Sequence, residues 1–194
     1  MTLRVDTLNT TAGTTWMVNG YPRSPGRMIE MLSGPCDGST VTVGSGTYQF
    51  QSVTGTQTYS TVYQTITGSS ILYQPPIGAT SVQYNFQFAA YWGADHAIND
   101  YKFFVDGAEV TKARHNRSGR LYEDRLTFDW TIDIGGTADV STGRQATWTQ
   151  PRLLNMQFRG YGASNHCNLH GTYYWDGAQS TQFSMPILTV TAFA

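Results

Sequence analysis

Charge is scarce in this chain. Only 13% of its 194 residues are Asp, Glu, Lys or Arg, about half of the roughly one quarter usual for soluble domains. The 12 basic residues nearly cancel the 13 acidic ones, so the formal net charge is −1. That balance excludes the broad basic field by which general nucleic-acid binders and membrane-surface proteins work. Long apolar runs are missing too: no stretch approaches the ~18 residues of a membrane span. The opening Met1-Thr2-Leu3-Arg4-Val5-Asp6 lacks the apolar segment of a secretory signal, so none is expected. Cysteine is limited to Cys36 and Cys167, one bridge at most. Without a signal, the expectation is two free thiols acting as small buried hydrophobes. Aromatic residues, by contrast, are plentiful at 13%, which excludes a disordered chain. The length suits one domain that buries roughly 70% of its unfolded surface, enough for a core without metal or disulfides.

Helical periodicity is also missing, and a period of two stands in its place. In 82–88, Val82, Tyr84, Phe86 and Phe88 share one face, while Gln83, Asn85 and Gln87 take the other. Residues 126–134 and 154–159 alternate in the same way. Such segments are half-buried antiparallel strands. Further strands are expected at 28–32, 40–43, 48–53, 61–67, 70–73, 101–105, 109–112, 169–174 and 183–192. Asp106-Gly107 is a tight hairpin signal, because Gly accepts a positive φ without steric cost. Many short strands separated by Gly, Pro and Asn predict an all-β chain, and their number fits a two-sheet jelly-roll β-sandwich better than a small barrel.

The first 26 residues differ from the rest. Asn19-Gly20-Tyr21-Pro22-Arg23-Ser24-Pro25-Gly26 is dense in breakers, and prolines cannot sit inside a central sheet. Residues 1–26 read as an extended N-terminal arm, and residues 27–194 as the sandwich domain. Leu3, Val5, Leu8, Trp16, Met17 and Val18 are the candidate anchors of that arm, since an extended segment can add to a neighbour's sheet with alternate side chains in pockets.

The polar faces of the best strands carry Gln, Asn, Thr and Asp rather than Lys and Glu. A free sheet surface usually mixes charges to stay soluble and to blunt edge pairing. A charge-poor, aromatic-rich surface suits a permanent contact between subunits.

No catalytic constellation emerges. The chain has no Gly-x-Ser-x-Gly elbow, no phosphate loop ending in Lys-Ser/Thr and no His-Glu-x-x-His. Val43-Gly44-Ser45-Gly46-Thr47 reads as a turn. His166-Cys167-Asn168-Leu169-His170 is the most metal-like string, but on a strand the two histidines face one way and Cys167 the other. Residues 93–100, with Asp95, His96 and Asp100, read as a loop. No enzyme, metal or cofactor is therefore expected. Lys112, Arg114, His115, Arg117, Arg120 and Arg125 form the one basic cluster, flanked by Glu109, Glu123 and Asp124. It reads either as a contact to an anion or to a neighbouring subunit, since Arg suits bidentate carboxylate recognition, or as a solvated hairpin tip. Tyr91, Trp92, Tyr173, Tyr174 and Trp175 are candidate glycan or receptor contacts, or equally core and interface packing.

The order of segments resembles a known group. The arm with Ala12-Gly13-Thr14, then Pro25-Gly26-Arg27-Met28-Ile29-Glu30, Gly68-Ser69-Ser70-Ile71-Leu72-Tyr73-Gln74-Pro75-Pro76, Tyr84-Asn85-Phe86-Gln87-Phe88, Phe103-Phe104-Val105-Asp106-Gly107-Ala108-Glu109-Val110 and 183–191 resemble small structural proteins of marine tailed phages. Their jelly-roll heads are similar to the tumour-necrosis-factor and complement-C1q type. The resemblance implies a homotrimeric virion component, assembled in the host cytoplasm, with no catalytic residues. It implies a capsid decoration (cement) protein that binds the major capsid protein or another virion protein and stabilises the shell. The alternative is a head-fibre or tail-fibre tip that binds a host-surface receptor or glycan. Neither nucleic acid nor membrane is an implied partner.

Overall fold

Alternation along the chain makes strands, and the sides on which apolar residues fall decide how those strands pack. A computed structural model describes residues 16–18, 21–23, 26–91, 97–119, 123–162, 166–174 and 180–194. In chain order the strands begin with β1 (Trp16–Val18), β2 (Tyr21–Arg23), β3 (Met28–Pro35), β4 (Thr40–Val43), β5 (Gly46–Gln49) and β6 (Gln64–Thr65). Next come β7 (Ile71–Tyr73), β8 (Ser81–Tyr91), β9 (Ala97–Val105) and β10 (Ala108–Glu109). A single 3-10 turn at Thr111–Ala113 leads to β11 (His115–Gly119), β12 (Glu123–Asp133) and β13 (Arg152–Gly160). The chain closes with β14 (Asn168–Leu169), β15 (Gly171–Tyr174), β16 (Ser180–Phe183) and β17 (Ile187–Phe193). No α-helix occurs among the described residues.

Two sheets carry the fold. The first runs β12-β8-β17-β3, with β14 also on β8. The second runs β10-β9-β13-β6, with β11 also on β9 and β7 on β13. All these strand pairs are antiparallel. Tyr84, Phe86 and Phe88 of β8 meet Tyr101 and Phe103 of β9 in one core. Phe103 lies 4.8 Å from Tyr84 and 5.4 Å from Phe128 of β12, ring centre to ring centre, so it joins the two sheets. The chain is all-β and antiparallel, an arrangement compatible with a β-sandwich.

Ser69, Tyr84 and Glu30 are buried in this core with their polar groups hydrogen-bonded, which avoids a desolvation penalty. The Ser69 hydroxyl donates to the Ile66 carbonyl at 2.7 Å and accepts the Met156 amide at 3.1 Å. Tyr84 donates to the Ser69 carbonyl at 2.6 Å. Glu30, buried on β3, accepts from the Ser45 amide (2.8 Å), the Ser45 hydroxyl (2.6 Å) and Tyr73 (2.8 Å). That network fastens the β4–β5 hairpin to the core. At the base of the neighbouring loop Gly68 has φ +85°, and a Cβ there would stand 2.9 Å from Val53 and 3.2 Å from Cys36, so the position requires glycine.

Several expected elements differ from what forms. Residues 97–100, read as loop, begin β9: Ala97 and Asn99 point inward and are buried, while Asp100 stays outward. The 109–112 strand is reduced to Ala108–Glu109 before the 3-10 turn, because the chain must leave the sheet to reach β11. The 61–67 strand is only Gln64–Thr65, and 48–53 moves back to Gly46–Gln49. The 183–192 strand breaks at Ser184-Met185-Pro186, where Pro186 supplies no N–H for a ladder. Residues 169–174 break at His170, which has φ +61°. The Asp106-Gly107 turn forms as expected, with φ of 50° and 77°. Of the arm, β1 and β2 pair with each other, apart from both main sheets. Leu3, Val5 and Leu8 lie outside the described residues.

Both cysteines are free and buried. Burial pushes each thiol up to about 12. Cys167 accepts the Asn99 side-chain N–H at 2.8 Å.

Candidate binding groove

The outer face of the second sheet carries the densest group of charged side chains. On β9 the alternation turns Tyr101, Phe103 and Val105 inward and leaves Asp100 and Lys102 outward. Register then sets their neighbours. Asp100 lies opposite Asn116 of β11 on one side and Arg159 of β13 on the other. Asn116 donates its amide to Asp100 at 2.6 Å. Arg159 reaches the other carboxylate oxygen through Nη2 and Nε at 3.3 and 3.4 Å, a loose contact that leaves the guanidinium free to turn.

Two residues further along β9, Lys102 donates to Glu109 at 2.9 Å, and Arg114 gives its Nε–H to the other oxygen of Glu109 at 2.5 Å. The bond from Arg114, more than Lys102, holds the Glu109 carboxyl below the usual range, so it stays ionised. Tyr63, just before β6, places its ring beside these cations. Lys102 Nζ stands 4.3 Å and Arg159 Cζ 5.1 Å from the ring centre, both within cation–π reach. Tyr63, Asp100, Lys102, Arg114, His115, Asn116 and Arg159 line an open groove of about 470 Å³, and Glu109 anchors Lys102 and Arg114 without lining it, a size within the range of small-molecule sites.

The basic cluster of the sequence does not stay together. Arg114 enters the groove, whereas Arg117 pairs with Asp124 of β12 and links the two sheets. Lys112 sits exposed in the 3-10 turn, its backbone N–H on the Ser141 carbonyl at 3.0 Å. Arg125 is exposed on β12, opposite Ala89 of β8 in the first sheet. Arg120 lies outside the described residues. The stretch runs from the 3-10 turn through β11 of the second sheet to β12 of the first, so closeness in sequence is lost in space.

The remaining predicted contacts are spread likewise. Trp16, Met17 and Val18 form β1, opposite Arg23, Pro22 and Tyr21. Tyr91 ends β8 opposite Glu123 and Asn168, and Tyr173 lies on β15 opposite Thr181. Trp92 and Trp175 are outside the described residues. The metal-like string is divided as well. His166 stacks on Tyr59 with ring centres 3.3 Å apart, and His170 is fully buried. Burial pushes the His170 imidazole down to about 4, against a weak opposing contact from the Thr67 backbone. Neither ring nitrogen of His170 makes a well-formed hydrogen bond among the described residues.

The residues that sequence reading missed are Tyr63, Lys102, Asn116 and Arg159, while Asp100 was singled out but read as part of a loop. The only signal was weak: single polar residues at alternate positions of β9 and β13, far apart in sequence and joined by register alone. Asp100 and Glu109 are each held by cations, which suits them as hydrogen-bond acceptors. The arrangement can bind and orient a polar ligand. No protein-family model matches the chain, and no curated protein matches it.

Proposed function

We propose that this chain is a capsid decoration protein of tailed-phage type, a homotrimeric jelly roll that binds and stabilises the shell through its N-terminal arm. Strand order supports the jelly roll. The sequence β3, β6/β7, β8, β9, β11, β12, β13, β17 visits the first and second sheets as first, second, first, second, second, first, second, first. Two interlocked Greek keys would give the same alternation, which is what supports the reading.

The observation that carries the assembly reading is the outer face of the first sheet. Three rows cross its four strands: Met31–Thr191–Gln83–Thr131, Ser33–Thr189–Asn85–Asp129 and Pro35–Ile187–Gln87–Thr127. Asp129 is the single charge among these twelve side chains. Met31 is half exposed, and Ser33 already bonds Thr189 across the strands at 2.7 Å. A broad face with uncharged donors and acceptors and little side-chain entropy to lose suits a permanent subunit contact. Three arms on one trimer would then engage the shell with avidity. In this reading the protein is a virion component, assembled in the host cytoplasm, and acts by binding rather than catalysis.

Copy number in the particle tests it. Quantitative mass spectrometry of purified virions should find this chain at the same order of abundance as the major shell protein. A few copies per particle would refute decoration and move the protein to a fibre or vertex. Deleting residues 1–20 should abolish binding to particles that lack the protein, and retained binding would remove the arm from the account.

A further inference from the structure

We infer that the groove formed by Tyr63, Lys102, Arg114, Asn116, Asp100 and Arg159 binds an acidic sugar, a polyhydroxylated ring that carries one carboxylate. The inference does not rest on the capsid reading, because the groove belongs to the other sheet face and needs no partner subunit.

The mixture of signs selects the ligand. Three cations face two carboxylates, and each carboxylate stands beside the cations rather than apart from them. Phosphate-rich or sulfate-rich chains would meet Asp100 and Glu109 at short range and be repelled. A neutral sugar would leave the guanidiniums unused. A ligand with one carboxylate and several hydroxyls answers both halves of the groove. Its carboxylate takes donors from arginine, and its hydroxyls donate to Asp100, the carboxylate that lines the groove.

Enough donors remain for this. A guanidinium has five N–H groups and an ammonium three. Among the described residues Arg114 gives only its Nε–H to Glu109, and Lys102 one bond to the same carboxylate. Arg114 is 59% exposed, so its two terminal nitrogens are open to a ligand. Arg159 holds Asp100 loosely and can turn toward a better acceptor. Planar guanidinium groups fit a carboxylate in a bidentate way that a lysine cannot reproduce. The backbone beneath is rigid: Asp100, Lys102, Asn116 and Arg159 stand on three paired strands whose registers fix their spacing.

A titration followed by amide chemical shifts of the full 15N-labelled chain, at low salt, tests this with four probes. Glucuronate should give saturable shifts at Lys102, Asn116 and Arg159, and glucose none. Inorganic sulfate should bind at least about tenfold more weakly, since it has no donor for Asp100. Hyaluronan tetrasaccharide, in which uronates alternate with neutral sugars, distinguishes the source. Tighter binding than glucuronate assigns the groove to a glycan chain, and equal binding assigns it to the free acid. Arg114→Ala should weaken glucuronate about tenfold while the remaining spectrum is unchanged, because that side chain is exposed. Equal shifts with glucose and glucuronate, or sulfate binding as tightly as glucuronate, would overturn the inference. So would an Arg114→Ala variant with unaltered affinity.

Discussion

The two outer sheet faces share one core but present different surfaces. On the β12-β8-β17-β3 face, three central rows of four side chains include one charge, Asp129. On the β11-β9-β13-β6 face, Lys102, Arg114 and Arg159 crowd around Tyr63 with Asp100 and Glu109 between them. Both faces arise from the same period-two alternation, with Phe, Tyr and Val turned inward. The outward positions are therefore free of the folding constraint, and their chemistry separates two tasks. Uncharged amides and hydroxyls suit a contact that is made once and kept. Paired charges that retain spare donors suit a ligand that comes and goes.

The largest expected effect comes from removing what the two faces have in common. Phe103 is fully buried between Tyr84 and Phe128, so Phe103→Ala leaves a cavity where the sheets meet. Urea unfolding should show a loss of about 3–5 kcal/mol. A loss below about 1 kcal/mol would mean that the sheets do not share this core.

Acid should loosen the first sheet next. His170 is buried against Phe88 at the end of β8, and its amide donates to Ala89 at 2.7 Å. Its folded pKa of about 4 lies below the ordinary value of 6.5. Below pH 6.5 the unfolded chain therefore takes up a proton that the folded chain refuses. The stability is complete above that pH and is lost as pH falls toward 4, by up to about 3 kcal/mol. His170→Asn keeps a residue that tolerates the left-handed backbone, and it should flatten this part of the stability–pH curve. An unchanged slope would place the acid sensitivity elsewhere.

The smallest effect belongs to the charged face. Arg159→Gln breaks an ion pair whose partners are 42% and 33% exposed, so thermal unfolding should register less than about 1 kcal/mol, shrinking further in salt. A larger loss would make the groove a structural element rather than a binding one.

Much of the interior was legible in the sequence. Val82, Tyr84, Phe86 and Phe88 alternate without a break, and the structure buries all four. The Asp106-Gly107 turn followed from its residue types. Short strands were harder: β6 is held by β13, distant in the chain, and β10 is cut short where the 3-10 turn begins, so local pattern gives neither their length nor their ends. His170 and Pro186 interrupt strands whose composition reads as continuous. The groove was nearly invisible for a related reason. Asp100 and Arg159 stand 59 positions apart and become neighbours only because β9 and β13 pair in one register. The basic cluster around Arg117 misled in the opposite direction, since residues close in sequence were sent to opposite sheets.

Sedimentation equilibrium of the purified chain, beside Ile187→Lys on the uncharged face and Thr65→Lys on the charged one, tests the central claim most directly. The account predicts that the unaltered chain has three times its 21.5 kDa monomer mass. Ile187→Lys should fall to the monomer, because its row, Pro35–Ile187–Gln87–Thr127, holds no carboxylate and a buried unpaired ammonium would be left in the contact, and Thr65→Lys should remain a trimer. An unaltered chain at monomer mass, or an Ile187→Lys variant that stays trimeric, would contradict it.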